Sequence, residues 1–189
     1  MTAAEQKQDV VDLLLRQHAE IKALLAEVKA ERGEQKQPAF QRLVRLLAVH
    51  ESAEEQVVHP VARRRVGDDV VDARLREEDD AKTLLAELYD MGVTGSAFDT
   101  RFAALEAAVL RHVEQEEREE FPALRRQVDP AKLRRMAGAV RAAEAVAPSR
   151  PHPQAGTHPV TNLLAGPPVA LFDKVREAVG QWRQSHRDD

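Results

Sequence analysis

One eleven-residue pattern occurs twice and restricts this chain's fold more than anything else in it. His50-Glu51-Ser52-Ala53-Glu54-Glu55-Gln56-Val57-Val58-His59-Pro60 is answered by His112-Val113-Glu114-Gln115-Glu116-Glu117-Arg118-Glu119-Glu120-Phe121-Pro122, and both read His-x-x-x-Glu-Glu-x-x-x-x-Pro. Each copy ends a run of apolar residues spaced three and four apart: Phe40, Leu43, Leu47, His50, Glu54, Val57 in the first, Phe98, Phe102, Leu105, Val109, His112, Glu116 in the second. That spacing is the inward stripe of a helix, with His and Glu standing where Leu is expected. A carboxylate in a helical core costs several kcal/mol, of the order found for buried charges, unless a cation meets it. Two carboxylates at matched positions ask for a cation between them.

The repeat extends upstream. Lys22-Ala23-Leu24-Leu25-Ala26-Glu27 matches Lys82-Thr83-Leu84-Leu85-Ala86-Glu87 at an offset of 60, and the two motifs match at an offset of 62. The unit is therefore a helix pair used twice, which predicts an all-α, antiparallel up-down-up-down four-helix bundle over residues 1–128. The helices are expected at about 5–30, from Pro38 to about 65 with a kink at Pro60, 70–91 with Asp69 as its cap, and to about 128 with Ser96 as its cap. Asp129-Pro130 restarts the chain as a cap and a first-turn proline. A fifth helix to about 147, a Pro-rich segment over 148–168 and a sixth helix over about 169–183 then make a C-terminal addition, residues 129–189, that packs on the bundle.

Aligning the halves sets His18 against Glu78, so each half offers one polar residue from its first helix and a His and a Glu from its second. The candidate metal ligands are His18, His50, Glu54, Glu78, His112 and Glu116. Two half-sites joined by two carboxylates point to two metal ions a few ångströms apart. Asp79, one residue out of phase, is the alternative to Glu78 if the helix is slightly rotated, and Lys82 is a competing salt-bridge partner for Glu78. His59 follows His50 by nine residues, half a turn out of phase in an ideal helix, so it is expected in a supporting or surface role unless Pro60 turns it inward. Glu51, Glu55, Glu114 and Glu117 leave the stripe and are expected in solvent or behind the ligands.

The rest of the composition narrows the function classes. The 189-residue chain has no cysteine, which excludes disulfides and thiolate ligands and fits a cytoplasmic location. Its formal net charge of −4 gives no basic footprint for nucleic acid, and no stretch has the apolar length of a membrane span.

These residues resemble the hemerythrin-like family, the HHE cation-binding domain, over about residues 10–126: a His on the first helix, His-x-x-x-Glu on the second and fourth, and a ligand position on the third. The resemblance implies a non-haem di-iron centre, oxo- or hydroxo-bridged, with manganese or zinc as alternatives. It implies Glu54 and Glu116 as bridges and His18, His50 and His112 as terminal ligands. Oxygen-carrying members have His-x-x-x-His on the third helix; here Glu78 and Lys82 stand at those places, which argues against reversible oxygen carriage. The function expected is reaction with small oxygen species: peroxide breakdown, peroxidase- or catalase-like, or sensing of O2 or NO. The rivals are an iron-sensing or iron-storing module without turnover and a metal-free structural bundle.

Overall fold

The computed structural model describes residues 8–146 and 168–186. The Pro-rich segment, with His152, His158 and Asn162-Leu163-Leu164, lies outside the described residues, as do residues 1–4. The first helix, α1, runs Val10–Ala30. It starts later than periodicity alone suggests because Asp9 and Asp12 form a capping box, each side chain accepting from the other's backbone N–H at 2.9 and 3.1 Å. After a short 3₁₀ turn, α2 (Lys36–Ala53) passes through a π-helical turn at Glu54–Val58 into α3 (His59–Val66). Helix α4 (Asp68–Met91) follows, then α5 (Phe98–Gln115), a second π turn at Glu116–Glu120, and α6 (Phe121–Gln127).

The two expected side-chain caps, Asp69 and Ser96, are not used. Gly67, at φ 96°, takes the junction before α4 and puts Asp69 inside its first turn; Ala97 precedes α5 without a side-chain cap bond. A positive φ of that kind suits glycine, and Gly92 at φ 72° ends α4 in the same way.

Helix α1 packs on α2 and α4 on α5, and contacts of α1 with α5 and of α3 with α4 and α6 close the bundle. One end is filled by Phe40, Phe98 and Phe102, with Phe40 and Phe98 edge to face at 5.4 Å. The other half of the interior holds the polar residues. Asp129 caps α7 (Pro130–Val146), its Oδ1 accepting from the Ala131 and Lys132 amides at 2.8 and 3.1 Å. Helix α7 lies across α1 and α2, and α8 (Pro168–Ser185) packs on α7 and α2 with Phe172, Val175 and Val179 inward. No helix among the described residues is long and apolar enough to cross a membrane.

Gly138 sets how closely α7 and α8 approach. A Cβ there would lie 2.5 Å from Trp182 Cζ2, closer than real atoms come. Gly138→Ala is expected to destabilise the protein by about 1–3 kcal/mol, the usual cost of overpacking. Emission from Trp182, the one tryptophan in the chain, should shift to the red as its packing loosens. Unchanged emission and melting temperature would show that α8 moves aside at no cost.

Candidate metal centre

The two π turns decide what faces the middle of the bundle. Each precedes a proline, Pro60 or Pro122, and in each the N–H of the next residue bonds five positions back: His59 to Glu54 O, Phe121 to Glu116 O. Proline lacks the N–H for a normal helical bond and its ring crowds the preceding turn, so a wide turn accommodates it. The wide turn takes up one extra residue, about 100° of rotation. His59, half a turn out of phase in a regular helix, is thereby turned toward the interior and is 1% exposed. Glu120, about 80° off the stripe in a regular helix, falls back onto it and is fully buried.

The six stripe residues come together. His18, His50, Glu54 and Glu116 each place one nitrogen or oxygen within 4.8 Å of all the others, and Glu54, Glu78 and His112 do the same. Glu54 belongs to both groups. Glu116 also spans them, with Oε2 3.3 Å from His18 Nε2 and Oε1 3.4 Å from His112 Nε2. Each ring is held from behind. His18 Nδ1 donates to Glu117 at 2.9 Å, His50 Nδ1 to Gln17 Oε1 at 3.0 Å, and His112 Nδ1 to Glu77 at 3.2 Å. With Nδ1 carrying the proton, Nε2 of a neutral imidazole is a lone pair. The Nε2 atoms of His18 and His50 face one another at 3.1 Å, and Glu54 Oε2 is 3.2 Å from the second. Around an ion with bonds of about 2.0–2.2 Å, neighbouring donor atoms sit about 3 Å apart. Both oxygens of Glu54, both of Glu116, Glu78 Oε2 and His112 Nε2 are buried without a hydrogen-bond partner among the described residues. Each of the two groups could hold a metal ion.

The electrostatics shows the same need for positive charge. Burial pushes the Glu54 carboxyl well above the usual range, and Glu116, Glu78 and Glu120 push it the same way. Burial and the neighbouring His18 hold His50 well below its ordinary value, so its ring is neutral. Burial opposes charge on Glu116, but His112 and His18 outweigh it and hold the carboxyl well down; His112 is held up in return. Glu78 has internal cations. His59 Nε2 donates to its Oε1 at 2.6 Å, and Lys82 Nζ lies 3.7 Å from its Oε2. Burial works against charge on His59, yet Glu120 and Glu78 raise it to about 10. Its Nδ1 is 3.4 Å from Glu120 Oε2, within ion-pair range but outside hydrogen-bond geometry.

Asp79, the alternative to Glu78, has a side chain 77% exposed and faces away. Glu114 is exposed, whereas Glu51 is buried and reaches Lys82. Glu55 and Glu117 occupy equivalent places behind the site, paired with Lys82 and Lys22. Periodicity did not single out Gln17, Glu77 or Glu120. Gln17 and Glu77 are related by the same offset of 60 that relates His18 to Glu78, and that was their only signal. A narrow cavity with room for little more than one water-sized molecule opens beside His50 and His112, walled by Ile21, Leu47, Val109 and Glu51.

The chain matches the hemerythrin HHE cation binding domain over residues 9–124. It is 25% identical over 139 residues to an uncharacterized hemerythrin-like protein of Schizosaccharomyces pombe, covering 72% of this chain and 68% of that one. It is 27% identical over 147 residues to a DNA nickase of Nostoc, covering 76% of this chain and 42% of that protein. The fold is similar to that of a hemerythrin HHE cation binding domain-containing protein from Mycobacterium kansasii, at a TM-score of 0.57 and 14% identity, over 95% of this chain and 94% of that one.

Proposed function

This chain belongs to the hemerythrin HHE cation-binding family, and on that premise we propose that it is a non-haem di-iron protein that reacts with oxygen species, hydrogen peroxide first among them. The observation that carries the reading is the meeting of His18, His50, Glu54 and Glu116, with all four carboxylate oxygens buried and without a hydrogen-bond partner among the described residues. A metal-free bundle accounts for Glu78, which has His59 and Lys82, but among the described residues leaves Glu54 with only the neutral ring of His50.

In this reading His18, His50, Glu54 and Glu116 would hold one ion, and Glu54, Glu78 and His112 would hold the other. Two iron ions supply two one-electron steps, matching the electron pair exchanged when peroxide is reduced or oxidised. Gln17, Glu77 and Glu117 hold the three rings with Nε2 forward. The carboxylates are hard, anionic ligands and favour the ferric state. The apolar walls of the cavity limit entry to small molecules. The net charge of −4 gives the chain no basic footprint for DNA, so a nicking activity is not carried over from the similarity to a DNA nickase.

The iron-loaded protein is expected to turn ferric in air and then to consume many equivalents of peroxide per chain, followed by oxygen evolution or by oxidation of an added reductant. Consumption no faster than that of the same iron free in buffer would overturn the enzymatic reading in favour of a binding module.

A further inference from the structure

Helix α7 carries none of the candidate ligands, yet it reaches them through one residue. Glu144 on α7 accepts from Gln17 Nε2 at 3.1 Å and from Arg16 at 2.7 Å. Gln17 is 1% exposed, and its other end, Oε1, accepts from His50 Nδ1. The order of these bonds fixes a tautomer. A carboxylate only accepts, so Gln17 must turn its NH2 toward Glu144 and its carbonyl toward His50. A carbonyl also only accepts, so Nδ1 of His50 must carry the proton and Nε2 must be the lone pair facing Glu54 and His18. If the Gln17 amide were reversed, its NH2 would donate to Nδ1 and the ring proton would move to Nε2, where it blocks coordination.

We propose that Glu144 is a positioning residue for the metal centre: by orienting Gln17, it sets the ring tautomer in which His50 can bind metal. The proposal rests on the di-iron reading. The second half of the repeat needs no such help. Glu77 stands where Gln17 does, and a carboxylate accepts from His112 whichever way it turns; Arg74 of its own helix holds it at 2.7 Å. Through Glu144 and Gln17 the C-terminal addition therefore reaches the His50 half-site, and no such amide stands behind His112.

The test is anaerobic titration of the full-length metal-free protein with cobalt(II), read by equilibrium binding and by the visible absorption of the bound ion. Glu144→Ala should weaken one of the two cobalt ions by about 10- to 100-fold, the range for loss of a ligand's supporting hydrogen bond, and leave the other unchanged. The Glu144 side chain is 34% exposed on a helix, where Ala is well tolerated, and circular dichroism checks the fold. Gln17→Glu in the Glu144→Ala background copies the second half-site and should restore both the affinity and the spectrum. Arg16→Ala removes the other partner of Glu144 and should leave cobalt binding as it was. Unaltered binding in Glu144→Ala, failure of Gln17→Glu to rescue, or an equal loss in Arg16→Ala would each overturn the proposal. A parent chain that binds no cobalt would overturn the di-iron reading, and this inference with it.

Discussion

Glu54→Gln is expected to raise the melting temperature of the metal-free protein near neutral pH and to abolish the further rise that iron gives the parent chain. Glu54 is fully buried, both of its oxygens lack donors, and burial holds its pKa well above the unfolded value. A group raised in the folded state contributes stability that is fully present below its unfolded pKa, about 4.3 for Glu, and lost as pH rises through the folded one. At neutral pH the parent has given up part of that contribution. Gln cannot ionise and keeps it, so the gap between the two metal-free proteins should widen from about pH 4.3 upward. His50, held below its ordinary value, has the opposite sign and loses stability as pH falls below about 6.5; comparison at about pH 7.5 keeps it neutral in both states. Iron reverses the ranking. Binding to the folded state alone adds about 4 kcal/mol at a thousandfold excess over Kd, roughly 8–16 °C for a chain of this size. Gln supplies no charge to bridge two ions and should lose most of that gain. Melts by calorimetry with and without iron decide it: a Gln variant that melts lower than the parent when both are metal-free would sink the argument.

His59→Phe should destabilise the metal-free protein by about 3 kcal/mol, the low end of the cost of removing the partner of a buried charge, because Lys82 and Arg74 still face Glu78 and Glu120. Phe is the residue the second repeat has at this place, Phe121, whose ring stacks on His18 at 5.3 Å, so the shape is one the bundle already accommodates. What is lost is the cation between Glu78 and Glu120. The pH dependence separates charge from packing. His59 is raised from 6.5 to about 10, so its contribution is full below about 6.5 and gone once pH passes about 10. The deficit of the variant in urea unfolding should therefore shrink steadily over that interval. A deficit of the same size at both ends would assign His59 to packing alone.

Much of this was legible because the repeat is long and the stripe regular. His50, Glu54, His112 and Glu116 are found by counting in steps of three and four, His18 and Glu78 by aligning the two halves, and all six are buried together. Counting failed where the helix stops being regular. A π turn is a change of hydrogen-bond register that no side chain announces, so His59 was set half a turn away and Glu120 was passed over; the trace they leave is a proline ten residues after each motif histidine. The caps failed for a different reason. Asp69 and Ser96 have the right chemistry, but α4 begins at Asp68 after Gly67 and α5 at Phe98 after Ala97, so neither side chain stands at the N-cap. The supporting bonds from Gln17 and Glu77 depend on which helices become neighbours, and the position of α7 over Gln17 has no periodic signature at all.

Elemental analysis of the iron-reconstituted protein, run beside the His50→Ala/His112→Ala variant, tests the central claim most directly. Each substitution removes an imidazole from one half-site while Glu54 and Glu116 remain. The parent should hold two iron atoms per chain after exhaustive dialysis and the double variant none. A parent that retains no iron, or a double variant that keeps both atoms, would contradict the assignment of this polar core as a di-iron centre.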